Sequence, residues 1–144
     1  MLKSNFNQFH KQFSENLPRS LERTISLLDN IENPQNKIKN IIHIAGTNGK
    51  GSILSYIKSC LIMNNLKVNA FTSPHLVKIN ERILIDNKIV KDKLLEKTID
   101  RLFQDSKNRK IAFFEFITGC ALYLFNQHKA DWNLFEVGMG GQFD

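Results

Sequence analysis

Ile44-Ala45-Gly46-Thr47-Asn48-Gly49-Lys50-Gly51-Ser52 is the stretch on which the fold turns. The run from Ile38 to Ala45 is short, its Ile41, Ile42 and Ile44 are β-branched, and it reads as a buried strand. From Ser52 to about Asn64, Ile53, Leu54, Ile57, Cys60 and Leu61 recur at helical spacing, which predicts a helix with those residues inward. A strand that runs into a glycine turn and leaves as a helix suits a phosphate. Glycines keep side chains from standing between the backbone amides and the anion. The helix N-terminus adds free N–H groups and the positive end of its dipole. Gly46, Thr47, Asn48, Gly49, Lys50, Gly51 and Ser52 are therefore the candidate ATP-binding residues. Lys50 supplies a point charge for the β- and γ-phosphates, and Ser52 offers a hydroxyl to Mg²⁺. The fit to the general phosphate-loop pattern is loose, because Ile44 stands where that pattern has a glycine and Ser52 comes one residue late. The competing reading is a glycine turn with a helix cap and a solvated lysine.

Working outward, Asn64-Asn65 ends the helix and Lys67 to Phe71 reads as a second strand. A strand–turn–helix–strand unit of this length favours a parallel crossover. Upstream, Met1 to Asn16 is a polar lead-in without a clear period. A helix is expected from near Pro18 and Ser20, with Leu21, Thr24, Ile25, Leu28 and Ile31 on one face, and Asn33-Pro34 stops it. Downstream, Ile83 to Ile85 and Ile89-Val90 flank Asp86-Asn87-Lys88 as a small hairpin. Asp92 to Phe103 is an amphipathic helix with Leu95, Thr98, Ile99 and Leu102 together. Phe113 to Gln127 is apolar nearly all round, as in a helix buried between other elements. Trp132 to Val137 is the third strand of the parallel set. The fold class is α/β: a phosphate-loop NTPase-like, mainly parallel sheet with flanking helices.

Composition agrees with one globular domain of 144 residues, 42% of them apolar and 24% charged. No repeat or linker divides it. The two cysteines, Cys60 and Cys120, are too few for a disulfide framework, and both read as core packing. A reduced, cytoplasmic setting is the expectation. No run of 18 apolar residues exists, so no membrane partner is expected. The net charge of +6 suits an anionic ligand. Nucleic acid is not the expected partner, because the charges are scattered and the densest basic stretch, Lys107, Arg109 and Lys110, looks like a loop. His10, His43 and His128 have no metal-ligand spacing.

Gly46-Thr47-Asn48-Gly49-Lys50-Gly51-Ser52 resembles the variant phosphate loop of the Mur ligase superfamily, the ATP-dependent amide-bond ligases. Ser73-Pro74-His75-Leu76 with Glu81-Arg82 is similar to the folylpolyglutamate synthase and dihydrofolate synthase branch. So are Glu136-Val137-Gly138-Met139-Gly140-Gly141, Phe114-Glu115-Phe116 and Leu21-Glu22-Arg23. The resemblance runs from about Leu17 to Asp144 and departs in one residue, Gln142, where the branch usually has Arg. It implies an incomplete Mur ligase central domain. Residues 1–144 would be a partial N-terminal ATP-binding domain, with the C-terminal ligase domain absent.

The activity so implied is ATP-dependent addition of L-glutamate to dihydropteroate or a (tetrahydro)folate through an acyl phosphate. ATP and Mg²⁺ would be the cofactors, and the full-length protein a monomer. Lys50 and Glu136 would be the catalytic residues, and Ser52, Ser73 and Glu136 the magnesium ligands. Glu136 ends a buried strand where α/β folds hold ligands, and magnesium prefers oxygen; the alternative is a capping or salt-bridged surface glutamate. Ser73-Pro74-His75 reads otherwise as a turn, and His75 as a solvated loop histidine. Ala112, Phe113, Phe114 and Glu115 resemble one pterin-contacting strip, and Phe143 and Asp144 fall in another. The alternative for the first strip is helix core with a capping glutamate. Two other functions compete: a stand-alone phosphate-loop NTPase or kinase, and an inactive remnant that only binds nucleotide.

Overall fold

The computed structural model describes residue 13 and residues 17–18, 20–105, 110–141 and 144. Most of the lead-in with His10, the basic residues Lys107 and Arg109, and Gln142 and Phe143 lie outside the described residues. The helices are α1 (Glu22–Asn30), α2 (Lys50–Met63), α3 (Asp92–Asp105) and α4 (Phe113–Gln127). The strands are β1 (Ile41–Ile44), β2 (Val68–Phe71), β3 (Ile83–Ile85), β4 (Lys88–Ile89) and β5 (Trp132–Glu136). Short 3-10 turns cover Pro34–Lys37 and Ile79–Arg82.

The strands form one sheet in the order β1-β5-β2-β3-β4. The last strand in sequence enters between the first two and runs parallel to both, pairing Ile44 with Glu136 and Phe71 with Phe135. This brings the C-terminal ends of β1, β5 and β2 side by side. The hairpin is no separate unit: β3 pairs antiparallel with β2, so the start of β3 lies at the same sheet edge. Asp86 and Asn87 both adopt positive φ in its turn, 48° and 67°, the conformation that two-residue hairpin loops favour.

Side chains alternate across the strands and divide the core in two. Ile44, Val68, Ala70 and Leu134 pack with Leu54 of α2. Phe71 and Phe135 pack with Phe116, Ile117, Cys120, Leu124 and Phe125 of α4, which α1 and α3 cover from outside. Each fully buried side chain of this size stabilises by roughly 1.5–3 kcal/mol, so the α4 side, with more large residues, dominates. Asn69 and Asn133 are buried opposite each other on β2 and β5. Asn69 Nδ2 donates to Asn133 Oδ1 at 3.0 Å and to His128 O at 2.7 Å, and Asn133 Nδ2 donates to Lys39 O. A polar pair so satisfied is tolerated in the core.

Three expectations change. In α1 the inward residues are Leu27, Leu28 and Ile31, while Leu21 and Ile25 are exposed. Gly119 lets α4 come close to Leu27: a β-carbon there would lie 2.6 Å from Leu27 Cδ2. Helix α2 starts at Lys50, two residues earlier than expected, because Gly49 at φ 76° turns the chain directly into it. Leu54 is its buried residue, and Ile57 and Leu61 pack partly; Ile53 and Cys60, a step round the helix, are exposed. Cys120 is buried as core, and burial raises its thiol pKa.

Candidate functional site

The phosphate loop, Ser73 and Glu136 meet at the shared sheet edge. Gly49 is the N-cap of α2, so the amides of the first turn are open to a ligand, and Gly51 and Ser52 are exposed within that turn. Lys50 Nζ donates to Gly46 O at 2.9 Å, folding the lysine over its own loop. Glu136, the last residue of β5, is 7% exposed. Its Oε2 accepts the Ser73 backbone N–H at 3.0 Å. A β-carbon on Gly51 would stand 3.6 Å from Oε1, so the carboxylate leans on the first turn of α2. No basic side chain pairs with Glu136 among the described residues, which removes the surface ion-pair alternative.

Among the described residues no group of three His, Cys, Asp or Glu side chains forms a metal cluster. The donor set here is of another kind: one buried carboxylate with the hydroxyl-bearing residues Ser52, in the first turn of α2, and Ser73, in the loop after β2. That suits magnesium, which is held by one or two carboxylates together with phosphate oxygens and water.

Ser73-Pro74 is a cis peptide bond. The loop that follows is fixed by Glu81, whose carboxylate accepts the amides of Leu76, Val77 and Lys78 at 2.8, 3.1 and 2.8 Å. These bonds, first those to Leu76 and Lys78, lower the Glu81 pKa. His75 is not a bare solvated side chain: its Nδ1 accepts Arg82 Nε–H at 2.8 Å.

The aromatic strip splits. Phe114 and Asp144 line an open cleft of about 180 Å³ together with Phe71, Thr118, Phe135 and Glu136. Asp144 also accepts the Met139 N–H at 3.2 Å. Gly138 makes room for the Phe114 ring, for a β-carbon there would lie 2.5 Å from Cζ. Phe113 turns elsewhere, against Phe13 and under the Arg82 guanidinium. Glu115 is engaged structurally. It accepts the Ala112 N–H at 3.0 Å and a forked pair of bonds from Arg23 Nε and Nη2, the shortest 2.6 Å. Its capping role therefore stands, as the alternative reading held. Sequence reasoning passed over Gly138, Arg82 and Arg23 as anything but motif letters; the signal was there in Glu81-Arg82 and Leu21-Glu22-Arg23, but no spacing rule gives such residues a partner.

The dihydrofolate synthetase of Saccharomyces cerevisiae is 36% identical over 126 residues, 86% of this chain and 29% of that protein. Among solved structures, the Escherichia coli FolC in complex with DHPP and ADP superposes with TM-score 0.90 at 27% identity, over 99% of this chain and 34% of that one. The bifunctional folylpolyglutamate synthase/dihydrofolate synthase of Yersinia pestis, complexed with AMPPNP and a Mn ion, gives TM-score 0.88 at 27% identity, over 98% of this chain and 34% of that one. No family model matches the chain. The chain spans about a third of the length of the curated relatives it matches. Among the described residues no helix is long and apolar enough to cross a membrane.

Proposed function

This chain belongs to the folylpolyglutamate synthase and dihydrofolate synthase family, matching its N-terminal part, and from that premise we propose that it supplies the nucleotide and metal end of an ATP-dependent folate–glutamate ligase. The observation that carries the reading is the buried Glu136 carboxylate, held by the Ser73 amide beside the first turn of α2. In the reaction the γ-phosphate of ATP passes to the carboxylate of dihydropteroate or a folate. The amine of L-glutamate then attacks the acyl phosphate, the amide forms and phosphate leaves. No side chain becomes a nucleophile, so the protein contributes position and charge neutralisation.

The amides of Gly49 to Ser52 receive the phosphates, and Lys50 leaves Gly46 O to meet the transferring one. Ser52, Ser73 and Glu136 would hold Mg²⁺, which when bound neutralises charge on the β- and γ-phosphates. The cleft beside Glu136 takes the pterin against Phe114, with Asp144 at its rim. Glu115 braces the start of that wall through Arg23, while Ala112 and Phe113 stand outside the lining of the cleft. In this reading residues 1–144 are the N-terminal part of the ATP-binding domain, and the ligase domain lies outside them. A cytoplasmic, monomeric full-length enzyme completes it.

The test is glutamate-dependent phosphate release, with product detection, in a protein of the relatives' length that carries this segment. Activity with dihydropteroate or tetrahydrofolate that falls at least 100-fold in Glu136→Gln supports the proposal. Phosphate release that ignores glutamate in the wild type contradicts it and favours a plain NTPase.

A further inference from the structure

A second cleft, of about 340 Å³, lies between α3 and the end of α4. Lys97 and Arg101 stand four apart on α3 and so share one face of it. Both line the cleft, together with Tyr123, Gln127 and His128 from the close of α4. Its base is apolar. Leu124 is buried there beside Leu94, and the buried Thr98 donates its hydroxyl to Leu94 O at 2.9 Å. The Arg101 guanidinium carbon lies 5.0 Å from the centre of the Tyr123 ring, which holds that side chain against the wall. No Asp or Glu lines the cleft. Glu96 and Asp100 are on the same helix but outside the lining, and among the described residues neither Lys97 nor Arg101 forms an ion pair with a carboxylate. Like charges four apart on a helix repel and cost stability, and no carboxylate in the cleft offsets these two.

The donors select the ligand. Lys97 offers a point charge and Arg101 a planar fork; Gln127 offers an amide and His128 a ring N–H. A phosphate monoester carries about −1.5 to −2 charges and three terminal oxygens, enough acceptors for such a set, whereas a carboxylate has one charge and two oxygens. The cleft falls within the roughly 300–1,000 Å³ of small-molecule sites, more than a bare oxyanion fills, and its apolar base suits a flat organic body. The place excludes the reacting groups of the ligation. His128 O accepts the Asn69 side-chain amide near the start of β2, at the sheet edge opposite Glu136. Phe114 of the first cleft precedes Gln127 by 13 residues on α4, roughly 20 Å at about 1.5 Å per residue. Helix α4 therefore lines both clefts, one near each end.

We propose that the cleft between α3 and α4 is a second binding site, remote from the nucleotide, for a small phosphate monoester with a flat apolar body. The test is an amide chemical-shift titration, by nuclear magnetic resonance, of the 144-residue chain with phenyl phosphate, inorganic phosphate, benzoate and phenol. Phenyl phosphate is expected to give saturable shifts at Lys97, Arg101, Gln127 and His128. Its affinity there should exceed that of each other probe at least fivefold. Lys50→Ala, which disables the phosphate loop, should leave those shifts and that affinity unchanged. Arg101→Gln should weaken phenyl phosphate at least tenfold and Lys97→Gln at least threefold. Thermal melts check each variant; should Arg101→Gln unfold through loss of the Tyr123 contact, the weakening in Lys97→Gln carries the test. Shifts confined to Gly46–Ser52 overturn the proposal, since only the phosphate loop would then bind. Benzoate binding as tightly as phenyl phosphate overturns the choice of a phosphate ester, and phenol binding as tightly reduces the cleft to an apolar dent. Affinity unmoved by both Arg101→Gln and Lys97→Gln overturns it too. Each of these results leaves the ligase reading standing, because that rests on the opposite edge of the sheet.

Discussion

Glu136 holds its carboxylate 7% exposed with a single amide on Oε2 and no basic partner among the described residues. Glu115 is the contrast: it is also largely buried, but Arg23 grips it with two nitrogens. A carboxylate of the second kind is a structural brace. One of the first kind costs stability and is retained where a cation is to be bound. Glu136→Gln is therefore expected to leave the melting transition unchanged or slightly raised, within about 1 kcal/mol. It should also weaken Mn²⁺ binding in the presence of nucleotide by at least tenfold. Metal titration followed by electron paramagnetic resonance checks this. A strongly destabilised variant with unaltered metal affinity would make Glu136 a structural residue.

At the scale of elements, the parts with a strong period were legible. The strand–turn–helix unit, the hairpin, the amphipathic α3 with Leu95, Thr98, Ile99 and Leu102 inward, and the apolar α4 all stand where periodicity put them. What periodicity did not give was which stripe faces in when two overlap. In α2, Ile53 and Cys60 compete with Leu54, Ile57 and Leu61, and the narrow contact with three short strands decides for the latter. In α1 the choice of Leu27 depends on Gly119, 92 positions away, and no local pattern carries that. The site shows the same division. The loop, Ser73 and Glu136 were readable as motif residues, while the Arg82–His75 bond and the Gly138–Phe114 contact exist only through the sheet. Gly138 gives an element-scale prediction. Gly138→Ala must push the Phe114 ring aside, because its β-carbon would sit 2.5 to 3.0 Å from three ring atoms. The ring is at the half-buried mouth of the cleft, so stability should fall by only about 1 kcal/mol, at the low end of overpacking costs. Dihydropteroate affinity, measured by fluorescence titration, should fall at least fivefold with Mg-ATP affinity retained. Unchanged pterin affinity would show that Phe114 is wall rather than binding surface.

At the scale of the whole molecule, function depends on strand order. Because β5 enters between β1 and β2, residues distant in sequence, Lys50, Ser73 and Glu136, are delivered to one edge by three adjacent strands. The antiparallel β3 brings Arg82 to the same edge. The outer face of α2 carries Ile53, Tyr56 and Met63 at 51%, 71% and 83% exposure, and Leu76 and Val77 in the loop after β2 are exposed as well. The central claim is that this edge holds a magnesium nucleotide through the phosphate loop. Its most direct test is isothermal titration of the 144-residue chain with ATP, with and without Mg²⁺, in the wild type and in Lys50→Ala. The expected result is binding that requires Mg²⁺ and is lost, by at least 50-fold in Kd, in Lys50→Ala, with the fold unaltered by circular dichroism. Equal affinity in the two proteins would contradict the assignment of the loop and, with it, the account of the site.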